Sequence, residues 1–203
     1  MDTPLEWRAV TTAYRDVLVS ARGEELRWLV NTERIHDPAT GLTVTRSIIR
    51  HPGVAVIVPF VADDRIVLLR QYRYTIDGEL WELPAGTLHG REEAGRVVAT
   101  ETAEACARRE LLEECGYVAA RWEKVAAWYA MPGGNDQIVH LFFAGGLGAG
   151  AQSLDEGELI REVRAFDASV LEGMIARGEI RDAKSLVGLF YALARRPGGV
   201  RLG

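Results

Sequence analysis

Cysteine is scarce in this chain. Its 203 residues include two, Cys106 and Cys115, which lie nine positions apart on one predicted helix. Residues so spaced on a helix are roughly 13 Å apart along the axis, whereas a disulfide needs Cα atoms within about 7 Å. Two unpaired thiols suit a reducing cytosol. The sequence therefore predicts a cytoplasmic protein without a disulfide framework.

Long apolar runs and an excess of positive charge are also missing. The longest strongly apolar run, VAVIVPFV at residues 54–61, is far shorter than the roughly 20 residues that span a bilayer. The start, MDTPLEWRAV, has no apolar core of signal-peptide length. Lys and Arg number 24 against 29 Asp and Glu, a net charge of −5. These features predict neither a membrane nor a nucleic-acid partner.

The remaining pattern is a series of short strands around one central helix. The helix is predicted from about Thr102, which can cap it, to Cys115, with Gly116 ending it. Two further helices close the chain, and loops are expected at residues 131–136 and 145–158. This order predicts an α/β (α+β) sandwich with a mixed β-sheet. A β-rich N-terminal segment at residues 1–50 would precede a domain at residues 51–203. Strand patterns are RDVLVSA, LTVTRSII, VAVIVPFV, RIVLLRQY, ELWEL, WEKVAAWYA, QIVHLFFA and REVRAF.

Three glutamates near the end of the central helix break local rules. Glu110, Glu113 and Glu114 follow an i, i+3, i+4 spacing, which places their carboxylates on one helix face. A solvated face is the ordinary explanation. Against it, like charges at i, i+4 repel, and the helix dipole favours cations in the last turn. Divalent cations would remove both penalties, and Mg²⁺ binds through carboxylates and substrate phosphates.

The sequence around these glutamates resembles the Nudix box: glycine, five residues, Glu, seven residues, then R-E-U-x-E-E-x-G-U with U apolar. Glu101 and RELLEECGY at residues 109–117 fill this pattern, and Gly95 has the spacing of the box glycine. In similar families, however, that glycine ends a strand reading E-x-P-A-G, which here ends at Gly86. We therefore interpret Gly86 as the structural glycine. Nine additional residues then form a surface loop or shape the substrate pocket, and Gly95 is a coincidence in a polar loop that no strand precedes.

Segments outside the box resemble the Nudix branch that hydrolyses ADP-ribose and related nucleoside diphosphate sugars. They lie within residues 42–196 and read HPGVAVIVPF, LLRQYRY, ELWELPAG, MPGG, DEGE and GEIRDAKSLVGLFYAL. The resemblance implies a Nudix-type α/β/α sandwich and Mg²⁺-dependent hydrolysis of a diphosphate, with Mn²⁺ able to substitute. The products would be a nucleoside monophosphate and a sugar phosphate. It also implies a homodimer whose N-terminal segments help to complete the substrate site.

The same resemblance implies residue roles at the metal. Glu110 and Glu114 would be the principal ligands, Glu113 would assist, and the backbone carbonyl of Ala85 would complete the shell. Arg109 would orient the glutamates through charge-assisted hydrogen bonds. The alternative for Arg109 is a solvent-facing helix residue that neutralises Glu113.

An acidic loop, DEGE at residues 155–158, occupies the place from which this branch often takes its catalytic base. Glu156 is predicted as the base and Glu158 as a metal or base partner. The alternative is a polar loop tip. Gln137 stands where the branch often has a glutamate after MPGG, and a neutral amide cannot replace a carboxylate as ligand or base. Asp136 could compensate, so this departure bears on the substrate more than on the hydrolase assignment.

Arg46, Arg70 and Arg73 are candidates for the diphosphate or the terminal ribose, because the planar guanidinium suits phosphate. Arg73 in QYR matches the branch best, and Arg46 would act across the dimer. Trp81 is a candidate for stacking on the base or sugar. The alternatives are exposed strand arginines and a core tryptophan.

Two other functions remain to be weighed. One is a Nudix-fold sensor that binds a nucleotide without cleaving it, and the other is removal of oxidised nucleoside triphosphates. Retention of all the box glutamates argues against the sensor. The long N-terminal part and the QYR and ELPAG segments argue against the triphosphatase.

Overall fold

The computed structural model of the chain describes residues 8–19, 26–154 and 158–195. These ranges contain twelve β-strands, three α-helices and a short 3-10 helix at Tyr74–Ile76. The strands are β1 (Arg8–Val19), β2 (Leu26–His36), β3 (Thr43–Arg50), β4 (Val54–Ala62), β5 (Arg65–Arg73), β6 (Gly78–Glu82), β7 (Ala85–Thr87), β8 (Gly90–Glu93), β9 (Arg96–Ala99), β10 (Tyr117–Tyr129), β11 (Ile138–Ala149) and β12 (Ile160–Asp167). The helices are α1 (Ala103–Cys115), α2 (Ala168–Ala176) and α3 (Ala183–Ala194).

The described residues divide into two compact units. The first comprises the described parts of Met1–Gly53 together with Leu88–Glu101 and Tyr129–Ile138. The second comprises Val54–Thr87, Thr102–Trp128 and the described part of Val139–Gly203. Within the described ranges, no helix has the length and apolar character needed to cross a membrane.

The second unit is built on a seven-stranded sheet in the order β10-β11-β4-β5-β12, with β6 paired to β5 and β7 paired to β4. Because β4 runs parallel to β11 and antiparallel to β5, the sheet is mixed, as the sequence predicts. Strand β4 is buried on both faces. Val54, Val56 and Val58 belong to the core cluster that includes residues of α2 and α3. Ala55 and Ile57 alternate to the opposite face, and α1 packs against β4 and β7.

The central helix and most strands confirm the sequence prediction, but two expectations are wrong. The polar stretch around Gly95 is not a loop, because β8 and β9 pair as an antiparallel hairpin with Gly95 at its turn (φ 76°). The glycine-rich stretch after residue 145 is not wholly a loop either. Strand β11 continues to Ala149, and Gly145 pairs with Phe60 of β4. In both cases pairing with a neighbouring strand outweighs a composition that locally favours a loop.

The first unit contains the antiparallel sheet β1-β2-β3 and the β8–β9 hairpin, which packs against β2. A buried ion pair crosses the sheet: Arg50 donates to both carboxylate oxygens of Glu33, at 3.0 and 3.1 Å. Glu101 fixes the base of the hairpin by accepting a hydrogen bond from the backbone N–H of His89 at 2.8 Å.

The loop at residues 131–136 is attached to the end of β3. The backbone N–H of Ile49 donates to the carbonyl of Gly134 at 2.9 Å, and that of His51 donates to Asp136 Oδ1 at 2.8 Å. His51 Nδ1 accepts from the N–H of Gly53 at 3.0 Å, and its Nε2 lies 3.0 Å from the side-chain amide of Gln137. Burial lowers the pKa of His51 to about 4, so the ring is neutral at neutral pH. Asp136 and Gln137 therefore support the backbone of this unit.

Candidate metal and catalytic site

Helix α1 presents its glutamates unequally. It begins after Thr102, whose hydroxyl accepts from the N–H of Ala105 at 3.1 Å, and ends at Gly116 in the left-handed region (φ 69°). Glu110 and Glu114, one turn apart, are buried at 6% and 3% exposure. Glu113 is only partly buried. The i, i+4 pair therefore faces the sheet, and the ordinary explanation of a solvated face does not apply to it.

Gly86 explains how a carboxylate can lie against the sheet here. A Cβ atom added to Gly86 would lie 1.8 Å from Glu110 Oε1 and 1.9 Å from its Cδ. No other residue type leaves that space open. At Gly95, by contrast, an added Cβ would meet nothing within 4 Å, and glycine there serves the left-handed turn. This geometry favours the interpretation of Gly86 as the structural glycine of the motif.

Arg109 bridges the glutamates of its own helix. Its guanidinium donates to Glu110 Oε1 at 2.6 Å and to Glu113 Oε2 at 2.9 Å, and it reaches the carbonyl of Thr87 on β7 at 3.4 Å. Arg109 therefore contacts Glu110 as well as Glu113 and is not a solvent-facing residue that neutralises Glu113 alone. Its predicted role in orienting the glutamates stays a prediction.

Ala85 fixes the second buried carboxylate. Its backbone N–H donates to Glu114 Oε2 at 2.8 Å, so the end of the ELPAG segment is tied to α1 at this atom. The predicted use of the Ala85 carbonyl as a metal ligand stays a prediction.

A third carboxylate, Glu158, joins the two buried ones. Glu110, Glu114 and Glu158 each offer one oxygen, and these three atoms lie within 4.8 Å of one another. We call these three residues the acidic cluster. Glu156, the predicted base, lies outside the described residues. Upstream of Glu158, Gln152 Nε2 donates to the carbonyl of Glu114 at 2.5 Å, so this segment is attached to the end of α1.

The acidic cluster is electrostatically unfavourable on its own. Burial raises the pKa of Glu110 to about 7, although Arg109 acts in the opposite direction. Burial and the charge of Glu110 raise the pKa of Glu114 well above its usual range, and Glu158 adds to both shifts. Buried carboxylates this close are stable only when protons or cations balance their charge.

The donor set fits a hard divalent cation. All three members of the acidic cluster supply carboxylate oxygens, the ligands that Mg²⁺, Mn²⁺ and Ca²⁺ accept. Two of them also accept hydrogen bonds from the protein, Glu110 from Arg109 and Glu114 from the N–H of Ala85. The residues present therefore suit a divalent metal that also contacts an anionic substrate.

Arg73 lies in a charged network within the same unit. Its guanidinium donates to Glu82 Oε1 at 2.8 Å and to Oε2 at 2.7 Å, and Lys184 Nζ donates to the same Oε2 at 2.6 Å. Glu82 is buried at 1% exposure. Burial opposes its ionisation, but the hydrogen bonds from Arg73 and the charge of Lys184 outweigh this effect and lower its pKa. Lys184 was missed at the sequence level, although GEIRDAKSLVGL marks its segment.

The other predicted substrate residues have ordinary partners. Arg70 pairs with Glu79 at 3.2 Å and with Glu162 at 3.4 Å. Trp81 packs edge-to-face on Phe166 with a centroid distance of 4.9 Å, as a core tryptophan would. Their predicted contacts with substrate stay predictions.

Arg46 lies in the first unit, where it lines a cleft of about 270 Å³ with Arg50, Ile35, Ile48 and residues 132–136. Its guanidinium donates to the carbonyl of Thr45 at 3.1 Å. Arg50 is paired with Glu33 and with Asp136, which also lines the cleft, so the guanidinium that this cleft offers to an anionic group is that of Arg46.

Comparison with known proteins identifies the family. The NUDIX domain model matches residues 49–187. The chain is 34% identical over 155 residues to the ADP-ribose pyrophosphatase of Bacillus subtilis, covering 74% of this chain and 77% of that protein. It is 32% identical over 146 residues to the GDP-mannose pyrophosphatase of Cronobacter sakazakii, covering 68% and 71%.

A solved structure described as an ADP compounds hydrolase is similar in fold, with a TM-score of 0.67, 18% identity and coverage of 94% of both chains. It supports the mixed-sheet architecture. Residues 49–187, which the family model matches, include the whole of α1 and all three residues of the acidic cluster. The carboxylates of that cluster fit a divalent metal. The chain therefore belongs to the NUDIX domain family and is a Nudix hydrolase.

Proposed function

We propose that this enzyme hydrolyses the diphosphate bond of ADP-ribose or a related nucleoside diphosphate sugar, with Mg²⁺ as its metal and Mn²⁺ able to substitute. The products are a nucleoside monophosphate and a sugar phosphate. The observation that carries the proposal is the convergence of Glu110, Glu114 and Glu158 within 4.8 Å. The names of the relatives in Bacillus subtilis and Cronobacter sakazakii support the substrate class.

Different residues of the chain bind the metal, orient its ligands and accept the proton. Glu110, Glu114 and Glu158 would hold the metal, with Glu113 assisting at the rim and the Ala85 carbonyl available beside them. Bound there, a divalent cation neutralises phosphate charge and lowers the pKa of a bound water. Arg109 holds two of the carboxylates in place. Glu156 accepts the proton of the attacking water, with Glu158 as its partner.

The candidate residues for substrate binding are three arginines and one tryptophan. Arg73, Arg70 and Arg46 offer guanidinium groups to the diphosphate or terminal ribose, and Trp81 offers its ring for stacking on the base or sugar. The non-catalytic sensor is disfavoured because every box glutamate is present. Cleavage of oxidised triphosphates stays the second enzymatic candidate.

A product-release panel tests the proposal. With Mg²⁺, ADP-ribose, GDP-mannose and UDP-glucose should include good substrates, and 8-oxo-dGTP should be poor. Glu114→Gln should lower turnover by more than about 100-fold, since it removes a group that acts at the reacting centre. Glu104→Gln, an exposed carboxylate in the first turn of the same helix, is the matched control and should retain activity. Efficient cleavage of 8-oxo-dGTP alone would contradict the substrate class.

Gly86→Ala tests the placement of Glu110. The added methyl group occupies the position of the Glu110 carboxylate, so this ligand is displaced and Mn²⁺ affinity should fall by at least about tenfold. Gly95→Ala is the control, because its methyl group meets no atom. It should cost about 1 kcal/mol of stability through its left-handed backbone and leave Mn²⁺ affinity unchanged. Equal Mn²⁺ affinities in the two variants, measured by calorimetry, would contradict the assignment.

The acidic loop is tested by two substitutions with different expected results. Glu156→Gln should lower kcat by about 100-fold or more, the usual scale for a general base, without changing Mn²⁺ affinity. Glu158→Gln should weaken Mn²⁺ binding as well as turnover. Asp155→Asn in the same loop is the control. If Glu156→Gln lowers kcat by only a few-fold, Glu156 is not the general base and the segment is an ordinary polar loop tip.

We also propose a homodimer that acts in the cytoplasm, with Arg46 and the N-terminal segment contributing to the shared assembly. Both cysteines are buried and neither forms a disulfide in the described part of the chain, which suits a reducing compartment. Light scattering should give twice the chain mass of 22.4 kDa. A monomer at micromolar concentration would contradict the dimer.

A further inference from the structure

Lys184 is an unusual residue in this chain. Only two lysines, Lys124 and Lys184, occur among 24 basic residues, so arginine is otherwise used throughout. Lys184 lies in the first turn of α3, two residues after the cap Asp182. Positive charge is disfavoured at a helix N-terminus. Its position therefore needs a reason outside the helix.

The reason is a shared buried carboxylate. Glu82 Oε2 accepts from both Lys184 Nζ, at 2.6 Å, and the Arg73 guanidinium, at 2.7 Å, while Arg73 Nε holds Oε1. Asp182 Oδ2 lies 2.9 Å from Lys184 but also accepts from the N–H and hydroxyl of Ser185. Two cations thus meet on one buried carboxylate, which fixes the plane of the Arg73 guanidinium.

The network is continuous with the acidic cluster along the chain. Glu82 begins the segment that ends at Ala85, whose N–H holds Glu114. Ser185 of α3 accepts from the N–H of Leu83 at 2.8 Å, so the first turn of α3 also supports this segment. Ala85 follows Glu82 by only three residues, so their Cα atoms are at most about 11 Å apart. The two cations on Glu82 therefore lie near the residue that holds Glu114.

We propose that Lys184 is a positioning residue of the hydrolytic site: through Glu82, it holds Arg73 beside the acidic cluster so that the guanidinium can bind the diphosphate. This inference rests on the proposed function for its substrate. Lys184 supplies the second cation that Glu82 binds, so Arg73 need not neutralise the buried carboxylate alone. Its removal also changes the local charge by −1, which disfavours an anionic ligand.

The sign of the effect on metal binding separates this role from simple structural support. A positioning role toward the diphosphate predicts weaker substrate binding but unchanged or tighter Mn²⁺ binding, because a repelling cation is removed. Loss of structural support for the Glu82–Ala85 segment would instead loosen Glu114 and weaken Mn²⁺ binding.

The experiment compares Lys184→Met, Lys184→Arg and the control Lys124→Met, the other lysine of the chain. Lys184→Met should raise KM for ADP-ribose by about tenfold or more, the scale of a lost charge-assisted contact, with kcat within a few-fold. Its Mn²⁺ affinity should equal or exceed that of the wild type. Lys184→Arg should restore KM to within about threefold, and Lys124→Met should match the wild type.

Binding of inorganic pyrophosphate, measured by calorimetry without turnover, provides a second readout. Lys184→Met should bind it about tenfold more weakly. If the wild type cleaves no nucleoside diphosphate sugar, the proposed function fails, yet the pyrophosphate and Mn²⁺ titrations still test Lys184. An unchanged pyrophosphate affinity, weakened Mn²⁺ binding or a Lys184→Arg variant as impaired as Lys184→Met would overturn the inference. Thermal unfolding of each variant identifies any that fails to fold, and Lys184→Gln then replaces Lys184→Met.

Discussion

Two buried carboxylates one helical turn apart, Glu110 and Glu114, impose the strongest constraint in the second unit. Burying like charges is unfavourable unless they are hydrogen-bonded and balanced. The surrounding chain meets the first requirement. Arg109 donates to Glu110, and the N–H of Ala85 donates to Glu114. Gly86 leaves the space that the first carboxylate occupies. The second requirement, charge balance, is what makes the cluster suitable for a divalent cation and, through it, for a diphosphate.

The mixed sheet determines which segments can satisfy this constraint. Strand β7 pairs with β4, and Ala55 is opposite Gly86, so the ELPAG segment is fixed directly beneath α1. The helix is fixed at both ends, by the Thr102 cap and by Gly116. Gln152 and Ser153 then bond to the last carbonyls of α1, where no basic residue is present in the final turn. These backbone contacts compensate for acidic residues at a helix end that ordinarily favours cations.

Local sequence patterns predict α1 and its glutamates, whereas features that depend on contacts between residues far apart in the chain have no such pattern. The α1 glutamates and Arg109 follow a fixed spacing, and Thr102 and Gly116 mark the helix ends, so all were predictable. The sequence predicts a polar loop where the β8–β9 hairpin forms, because GREE and RVVA carry little strand signal alone. Lys184 was overlooked because its partner, Glu82, lies 102 residues earlier. No periodicity in either segment indicates that contact. The structural glycine of the motif is only partly predictable from the sequence. Its spacing from Glu101 favours Gly95, whereas the packing of Gly86 against Glu110 favours Gly86.

The basic residues near the acidic cluster have two different roles. Arg109 contacts the glutamates of α1, whereas Lys184 and Arg73 are bound to Glu82. Arg109 donates to two carboxylates from one terminal nitrogen and to the Thr87 carbonyl from the other, which uses the several donors of a guanidinium. Lys184 places a compact charge on Oε2 of Glu82, the oxygen that it shares with Arg73, while Arg73 also donates to Oε1. Apart from Arg109, which is bonded to Glu110, further cations in contact with the cluster would compete with the metal, and cations too far away would not assist an anionic substrate. Arg73 and Lys184 meet both requirements, because they are bound to the separate buried carboxylate of Glu82. Their hydrogen bonds to Glu82, and not attraction to Glu110 and Glu114, set their positions.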